Sequence, residues 1–170
     1  GTDFFEDEDL IPEENIVITL THKGYIKRLP ASTYRTQKRG GRGIQGMGTN
    51  EDDFVEHLVS TSTHDTILFF TNMGKVYKAK GYEIPEFSRT AKGIPIINML
   101  QVEPGEWVNA VISVNEYKED TFFIFTTRNG LTKRTSLSKF ANIRKGGLIA
   151  LGLRDGDELI SVKLTDGTKD

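Results

Sequence analysis

The sequence contains no cysteine. Disulfide bonds, thiolate metal sites and cysteine nucleophiles are therefore excluded, and a cytoplasmic location is the natural expectation. No apolar run approaches the length of a membrane-spanning helix, and the acidic start is unlike a signal peptide, so no membrane partner is expected. Apolar spacing with a 3.6-residue period is also nearly absent. The best helix candidate is one short turn around residues 136–140.

Arrangements typical of catalysis or metal binding are missing as well. The three histidines show no metal-ligand spacing, and neither a carboxylate pair nor a Ser/His/Asp set can be argued from the sequence. The sequence therefore predicts no catalytic residue, no metal site and no cofactor.

Acidic residues are absent from two long stretches. Residues 15–50 hold seven Lys or Arg and residues 121–154 hold another seven, with no Asp or Glu in either range. Residues 1–14 show the opposite bias, with seven acidic residues and no Lys or Arg, which predicts an acidic linker or tail. The formal net charge of −2 conceals this segregation. Fields of one sign attract polyanions, although charge runs also occur on ordinary solvated faces.

A repeat of about fifty residues is present instead of helical periodicity. Apolar segments 16–28, 67–78 and 122–134 each contain a polar turn with a glycine, at Gly24, Gly74 and Gly130, and each reads as a β-hairpin. A second glycine follows at Gly43, Gly93 and Gly147. Further strands are predicted at 94–100 and 148–153, and closing strands at 54–61, 107–114 and 159–165.

About four strands per repeat predict an all-β protein built of propeller-like blades. The predicted units are residues 15–63, 64–116 and 117–170, after the acidic segment 1–14. We expect the large aromatic residues to form the blade core. They are Phe69, Phe70, Phe122, Phe123, Phe125 and Trp107.

The segment 37–43 has the most informative composition, because three cations and three glycines fall within seven residues. An arginine guanidinium can donate two parallel hydrogen bonds to one phosphate. Glycines let the backbone N–H groups approach an anion closely. Its residues are Gln37, Lys38, Arg39, Gly40, Gly41, Arg42 and Gly43. We call this segment the box.

The box resembles the glycine-arginine box of the C-terminal domain of the DNA gyrase A subunit, with Lys38 where the usual form has arginine. The resemblance runs from about residue 10 to the end. It implies a β-pinwheel of six blades that exchange strands and bend DNA around a basic rim, of which this chain supplies about three. The family's catalytic tyrosine belongs to another domain and is assigned to no tyrosine here.

The resemblance also implies a function. The domain would bind and wrap double-stranded DNA to support negative supercoiling by a bacterial type II topoisomerase, without being an enzyme on its own. Its partners would be DNA, the rest of the A subunit and the B subunit of an A2B2 holoenzyme, in the cytoplasm at the nucleoid. Besides the box, the predicted DNA contacts are Lys27, Arg28, Arg35, Lys78, Lys92, Lys133, Arg134, Arg144 and Lys145.

Three alternatives stay open at this point. A propeller-type scaffold would bind proteins through its apolar and acidic turns. The topoisomerase IV counterpart shares the repeat but typically carries a degraded box. A disordered RNA-binding tail is often rich in Arg and Gly.

Overall fold

The computed structural model describes residues 7–34 and 52–166. They form two compact units, one from residues up to 66 together with 79–96, the other from 67–78 together with 97 onward. Each unit draws residues from two sequence repeats, and the predicted repeat boundaries stay a prediction. The strands are β1 Asn15–Thr21, β2 Tyr25–Pro30, β3 Val55–Ser62, β4 Thr66–Thr71, β5 Lys75–Lys80, β6 Ile94–Pro95, β7 Val108–Val114, β8 Thr121–Thr127, β9 Thr132–Ser136, β10 Leu148–Ile149 and β11 Leu159–Asp166.

The sheet of the first unit has the strand order β3-β1-β2-β6 and is antiparallel throughout. Strand β1 is central and buried on both faces after its first residue, which explains its nearly continuous apolar sequence. Strand β3, at the edge, alternates between half-buried and exposed residues. The fourth strand, β6, comes from the next repeat along the chain, so the sheet is completed by exchange.

The other two sheets repeat this plan. One has the order β10-β5-β4-β7, in which β10 comes from the following repeat, and the other has the order β11-β8-β9 within the described residues. The three predicted hairpins and the three closing strands are confirmed. The all-β prediction is confirmed as well, with blade-like sheets of up to four strands.

The strands predicted at 94–100 and 148–153 are wrong in length, because β6 and β10 have only two residues each. The backbone N–H of Ile96 turns away and donates to the carbonyl oxygen of Gly24, at 2.7 Å. The N–H of Ala150 likewise donates to Gly74, at 2.8 Å. Each exchanged segment therefore leaves its sheet to cover a hairpin turn, and Ile96–Asn98 forms a 3-10 turn.

Helix is scarce in the described residues, as predicted. The expected turn around 136–140 is a 3-10 helix, Leu137–Phe140, and the N-cap hydroxyl of Ser136 accepts from the N–H of Ser138. Other short 3-10 turns occur at Asp7–Leu10 and Gly81–Glu83. Residues 31–34 are also helical.

The core of the second unit is an aromatic cluster. The rings of Phe70, Phe123, Phe125 and Phe140 lie with centroids 5.0–6.2 Å apart, mostly edge to face. The prediction of a core position is wrong for Trp107, which is 52% exposed. Its indole nitrogen finds a polar partner at the surface, because Nε1 donates to Oδ1 of Asn109 at 2.8 Å.

Two glycines with positive φ give a matched test of the exchanged segment. Gly93 (φ 98°) precedes β6, and a Cβ there would collide with the carbonyl oxygen of Ile26 and lie 3.2 Å from Cβ of Lys27. Gly130 (φ 92°) lies in a hairpin turn with nothing within 4 Å of an added Cβ. Gly130→Ala should cost about 1 kcal/mol of stability through backbone strain alone.

Gly93→Ala should cost at least about 2 kcal/mol more, because the backbone of β2 must also move. Urea unfolding of both variants measures the difference. Equal losses would contradict close packing between Gly93 and β2.

Candidate nucleic-acid interface

The box, Gln37–Gly43, and Arg35 lie outside the described residues. Their role as DNA contacts therefore stays a prediction. The remaining predicted residues lie in β2, in β5, in β9 and in the loops that lead into β6 and β10.

A first group of cations surrounds the loop that precedes β6. Lys92 is half-buried, with Nζ 4.6 Å from the centre of the Tyr25 ring, a distance suited to cation–π attraction. Arg28, in β2, is also half-buried, and its Nη1 donates to the carbonyl oxygen of Gly81 at 3.3 Å. Arg89, in the same loop, is exposed. We name Arg28, Arg89 and Lys92 the first cationic cluster.

A second group occupies the corresponding place in the second unit. Lys78 is exposed on β5, and Arg144 and Lys145 are exposed in the loop that leads into β10. Gly147 lies against the ring of Tyr77, the neighbour of Lys78, because an added Cβ would stand 2.8 Å from that ring. Strand β10 also pairs antiparallel with β5, with Leu148 opposite Val76, so the residues before Leu148 run along β5 towards Lys78. We name Lys78, Arg144 and Lys145 the second cationic cluster.

The third hairpin places its two predicted contacts on opposite faces of β9. Lys133 pairs with the core residue Phe125, whereas Arg134 pairs with Ile124. Successive strand residues point to opposite sides of a sheet, so the two cations face different ways. The guanidinium carbon of Arg134 lies 4.3 Å from the centre of the Phe122 ring, and both cationic residues are exposed.

Lys27 does not lie on the surface, and its prediction as a DNA contact is wrong. The residue is 2% exposed. Its Nζ donates to the carbonyl oxygens of Ser88, Arg89 and Ala91 at 3.0, 2.8 and 2.6 Å. An ammonium has three donors, so these bonds use all of them. Burial lowers the pKa of Lys27 to about 8.

Two cations of the basic stretches form ion pairs with acidic residues outside those stretches. Lys23 Nζ lies 2.8 Å from Oδ2 of Asp52, and this hydrogen bond raises the pKa of Lys23 and lowers that of Asp52. Nη1 of Arg128 lies 3.3 Å from Oε1 of Glu158. Among the described residues, no ion pair joins a member of either cationic cluster to an acid. The clusters therefore keep their charge available.

The acidic turns serve the fold. The hydroxyl groups of Tyr77 and Thr71 both donate to the buried carboxylate of Glu106, at 3.0 and 2.7 Å. Burial, with Glu106 close by, raises the pKa of Tyr77. In the third repeat, Oδ1 of Asp157 accepts from the N–H of Asn129 in the hairpin turn, at 3.0 Å. These carboxylates fasten hairpin turns to the segments that precede the closing strands.

Two further kinds of feature are absent from the described ranges. Within residues 7–34 and 52–166, no helix is long and apolar enough to cross a membrane. The same residues contain no group of three or more His, Asp or Glu side chains arranged to hold a metal ion.

Residues 15–62, 65–115 and 121–166 each match the family described as "DNA gyrase C-terminal domain, beta-propeller". The chain belongs to this family. The gyrase A subunit of Halalkalibacterium halodurans is 68% identical over 168 residues, which is 99% of this chain and 20% of that protein. The chain thus spans about a fifth of the length of this gyrase relative.

Solved gyrase and topoisomerase IV domains share the fold. A crystal structure of the C-terminal domain of DNA topoisomerase IV superposes with a TM-score of 0.78 at 27% identity, covering 92% of this chain and 47% of that one. A DNA gyrase A C-terminal domain superposes with a TM-score of 0.63 at 26% identity, covering 90% and 48%. The two solved domains are about equally similar in sequence, and it is the 68% identity to a gyrase A subunit that favours gyrase A over the topoisomerase IV alternative.

Sequence reasoning missed Arg89. Aligning the glycines at 43 and 93 places Arg39 of the box opposite Arg89, and Arg42 opposite Lys92. The loop 87–93 is thus a weaker counterpart of the box with two of its cations retained. This alignment could have identified Arg89 without a structure.

Proposed function

We propose that this chain binds duplex DNA through the two cationic clusters, Lys133, Arg134 and the box, and bends the duplex along them. One observation carries the proposal: each described unit has three exposed or half-buried cations, without an acidic partner among the described residues, at or beside the corresponding loop of its exchanged strand. A repeated arrangement of this kind suits a ligand with a repeated charge. The DNA backbone is such a ligand, with one phosphate per 3.4 Å on each strand.

Contact with phosphates accounts for bending without base reading. Neutralising phosphates along a protein surface offsets the cost of bending a duplex, which is about 1–6 kcal/mol for a tight turn. The clusters lie in loops and strands, and the described residues offer no helix for the major groove. Selectivity among sequences should therefore be weak and should follow deformability.

In this proposal the chain is the accessory, DNA-wrapping part of a gyrase A subunit. DNA breakage, strand passage and ATP hydrolysis would belong to other domains and to the gyrase B subunit. The site of action would be the bacterial cytoplasm, where the chromosome lies.

Affinity for duplex DNA as a function of salt tests the proposal. If about five phosphates are neutralised, log K against log[salt] should have a slope of about −4 to −5. Duplexes of unrelated sequence should bind with nearly equal affinity. A flat salt response would remove the phosphate-contact proposal. Salt-independent capture of a protein partner would favour the scaffold alternative.

A further inference from the structure

The acidic segment that precedes β1 is fastened to the first unit through its backbone. The hydroxyl group of Thr63 donates to the carbonyl oxygen of Pro12 at 2.8 Å and accepts from the N–H of Glu14 at 3.0 Å. The N–H of Thr63 donates to the carbonyl oxygen of Glu14 at 2.9 Å. Nε2 of His64 lies 2.8 Å from the carbonyl oxygen of Ile11. This part of the segment therefore follows a fixed path along the connection between β3 and β4.

This path brings a carboxylate to a cation. The N–H of Ile11 donates to the carbonyl oxygen of Glu8 at 3.0 Å. Oε2 of Glu8 lies 3.1 Å from Nζ of Lys80, and the same ammonium group donates to the carbonyl oxygen of His64 at 3.1 Å. The side chains of Glu8 and Lys80 are only 32% and 35% exposed. We name residues 8–14 the strap.

Lys80 lies at the margin of the first cationic cluster. The carbonyl oxygen of Gly81, the next residue, accepts from Nη1 of Arg28 at 3.3 Å. Gly81 also packs on the connection that holds the strap, because an added Cβ would stand 2.6 Å from the carbonyl oxygen of Ser62. Lys80 is thus close to a proposed DNA contact, but its ammonium group is occupied by Glu8.

A carboxylate in this position opposes the binding of a polyanion in two ways. It occupies a lysine that could otherwise bind a phosphate, and it neutralises a positive charge beside Arg28. Glu13 carries the same charge in the strap, but it is exposed and forms no ion pair among the described residues. A specific effect of Glu8 can therefore be separated from an effect of net charge.

We infer that the strap is an autoinhibitory contact, in which Glu8 competes with a phosphate of duplex DNA for Lys80. Binding of the duplex displaces the carboxylate of Glu8, and Lys80 then joins the first cationic cluster in contacting the DNA backbone. The strap thereby lowers the affinity for DNA. The inference rests on the proposed DNA binding and adds one contact and its regulation.

Two variants that each remove one negative charge test the competition. Glu8→Gln should bind a duplex about three- to eightfold more tightly at 0.1 M salt, because one phosphate contact contributes a salt slope of about −0.9. Its salt slope should be steeper than that of the parent by up to about 0.9. Glu13→Gln should stay within about twofold of the parent. Equal gains in the two variants, or no gain in Glu8→Gln, overturn the inference.

A double-mutant cycle tests whether Glu8 acts through Lys80. In the background of Lys80→Ala, the further change Glu8→Gln should raise the affinity less than about twofold, because the lysine that it would release is gone. An undiminished gain in that background overturns the role of Lys80. If Lys80→Ala does not fold, the comparison of Glu8→Gln with Glu13→Gln decides.

Carboxyl signals of the ¹³C-labelled chain report the displacement directly. Titration with a short duplex should move the Glu8 signal and leave that of Glu13 in place. A Glu8 signal that stays unmoved at saturation, while binding depends on salt, overturns the inference alone. If the parent shows no salt-dependent binding of DNA, the proposed function fails and the inference fails with it.

Discussion

Lys27→Met should lower the free energy of unfolding by about 3 kcal/mol at pH 7. The substitution removes three hydrogen bonds from a charged donor, at about 1.5–3 kcal/mol each. Part of this loss is offset because the variant no longer buries a charge. Lowering the pKa of Lys27 from 10.5 to about 8 corresponds to a cost of about 3 kcal/mol for keeping its charged form in the folded chain. Urea unfolding measures the change, and Lys78→Met, at an exposed lysine, should stay within about 0.5 kcal/mol of the parent.

The pH dependence separates the charge of Lys27 from its packing. Because the pKa of Lys27 is lowered in the folded state, the unfolded chain binds more protons between about pH 8 and 10.5. This group therefore makes stability rise with pH, by about 2 kcal/mol from pH 8 to pH 10. Lys27→Met should lack that rise. The raised pKa of Tyr77 acts in the opposite sense above pH 10, so the comparison ends there.

If the free energy of unfolding changes with pH in the same way in the parent and in Lys27→Met, a buried Lys27 with a lowered pKa is contradicted. Unchanged stability of Lys27→Met at pH 7 would contradict the three hydrogen bonds as well.

Replacing Lys38, Arg39 and Arg42 of the box by alanine should abolish most DNA bending while reducing affinity only in part. At most three contacts are lost, so the salt slope should fall by about 2.7. The two cationic clusters keep the duplex associated. Bending should fall much further. An arginine that donates two parallel hydrogen bonds to a phosphate fixes the position of that phosphate as well as neutralising its charge. Energy transfer between labelled duplex ends, measured at saturation, reports the bend.

A charge-matched control separates geometry from net charge. Lys139, Arg154 and Lys163 are exposed in the second unit and lie outside the proposed contacts. Their joint replacement by alanine removes an equal number of positive charges and should leave the bend unchanged. The special role of the box fails if its triple variant bends DNA as well as the parent, or if the control bends it equally poorly.

Local patterns in the sequence determined the hairpins, the closing strands and the family. A glycine turn between two apolar runs specifies a hairpin through residues close together in the chain, so the Gly24, Gly74 and Gly130 hairpins could be placed to within a residue or two. The composition of the box is equally local. An alignment of glycines would have added Arg89 on the same basis.

Tertiary structure decided what depends on residues far apart in sequence. Lys27 and Arg28 are adjacent cations, yet one is buried because carbonyl groups from residues 88–91 surround it. The strand β6 ends after two residues because the next N–H finds the carbonyl oxygen of Gly24. Burial, ion pairing and the direction of peptide groups all depend on which distant segment packs nearby. A sequence pattern does not contain that information, so only the folded chain separates surface cations from a buried one.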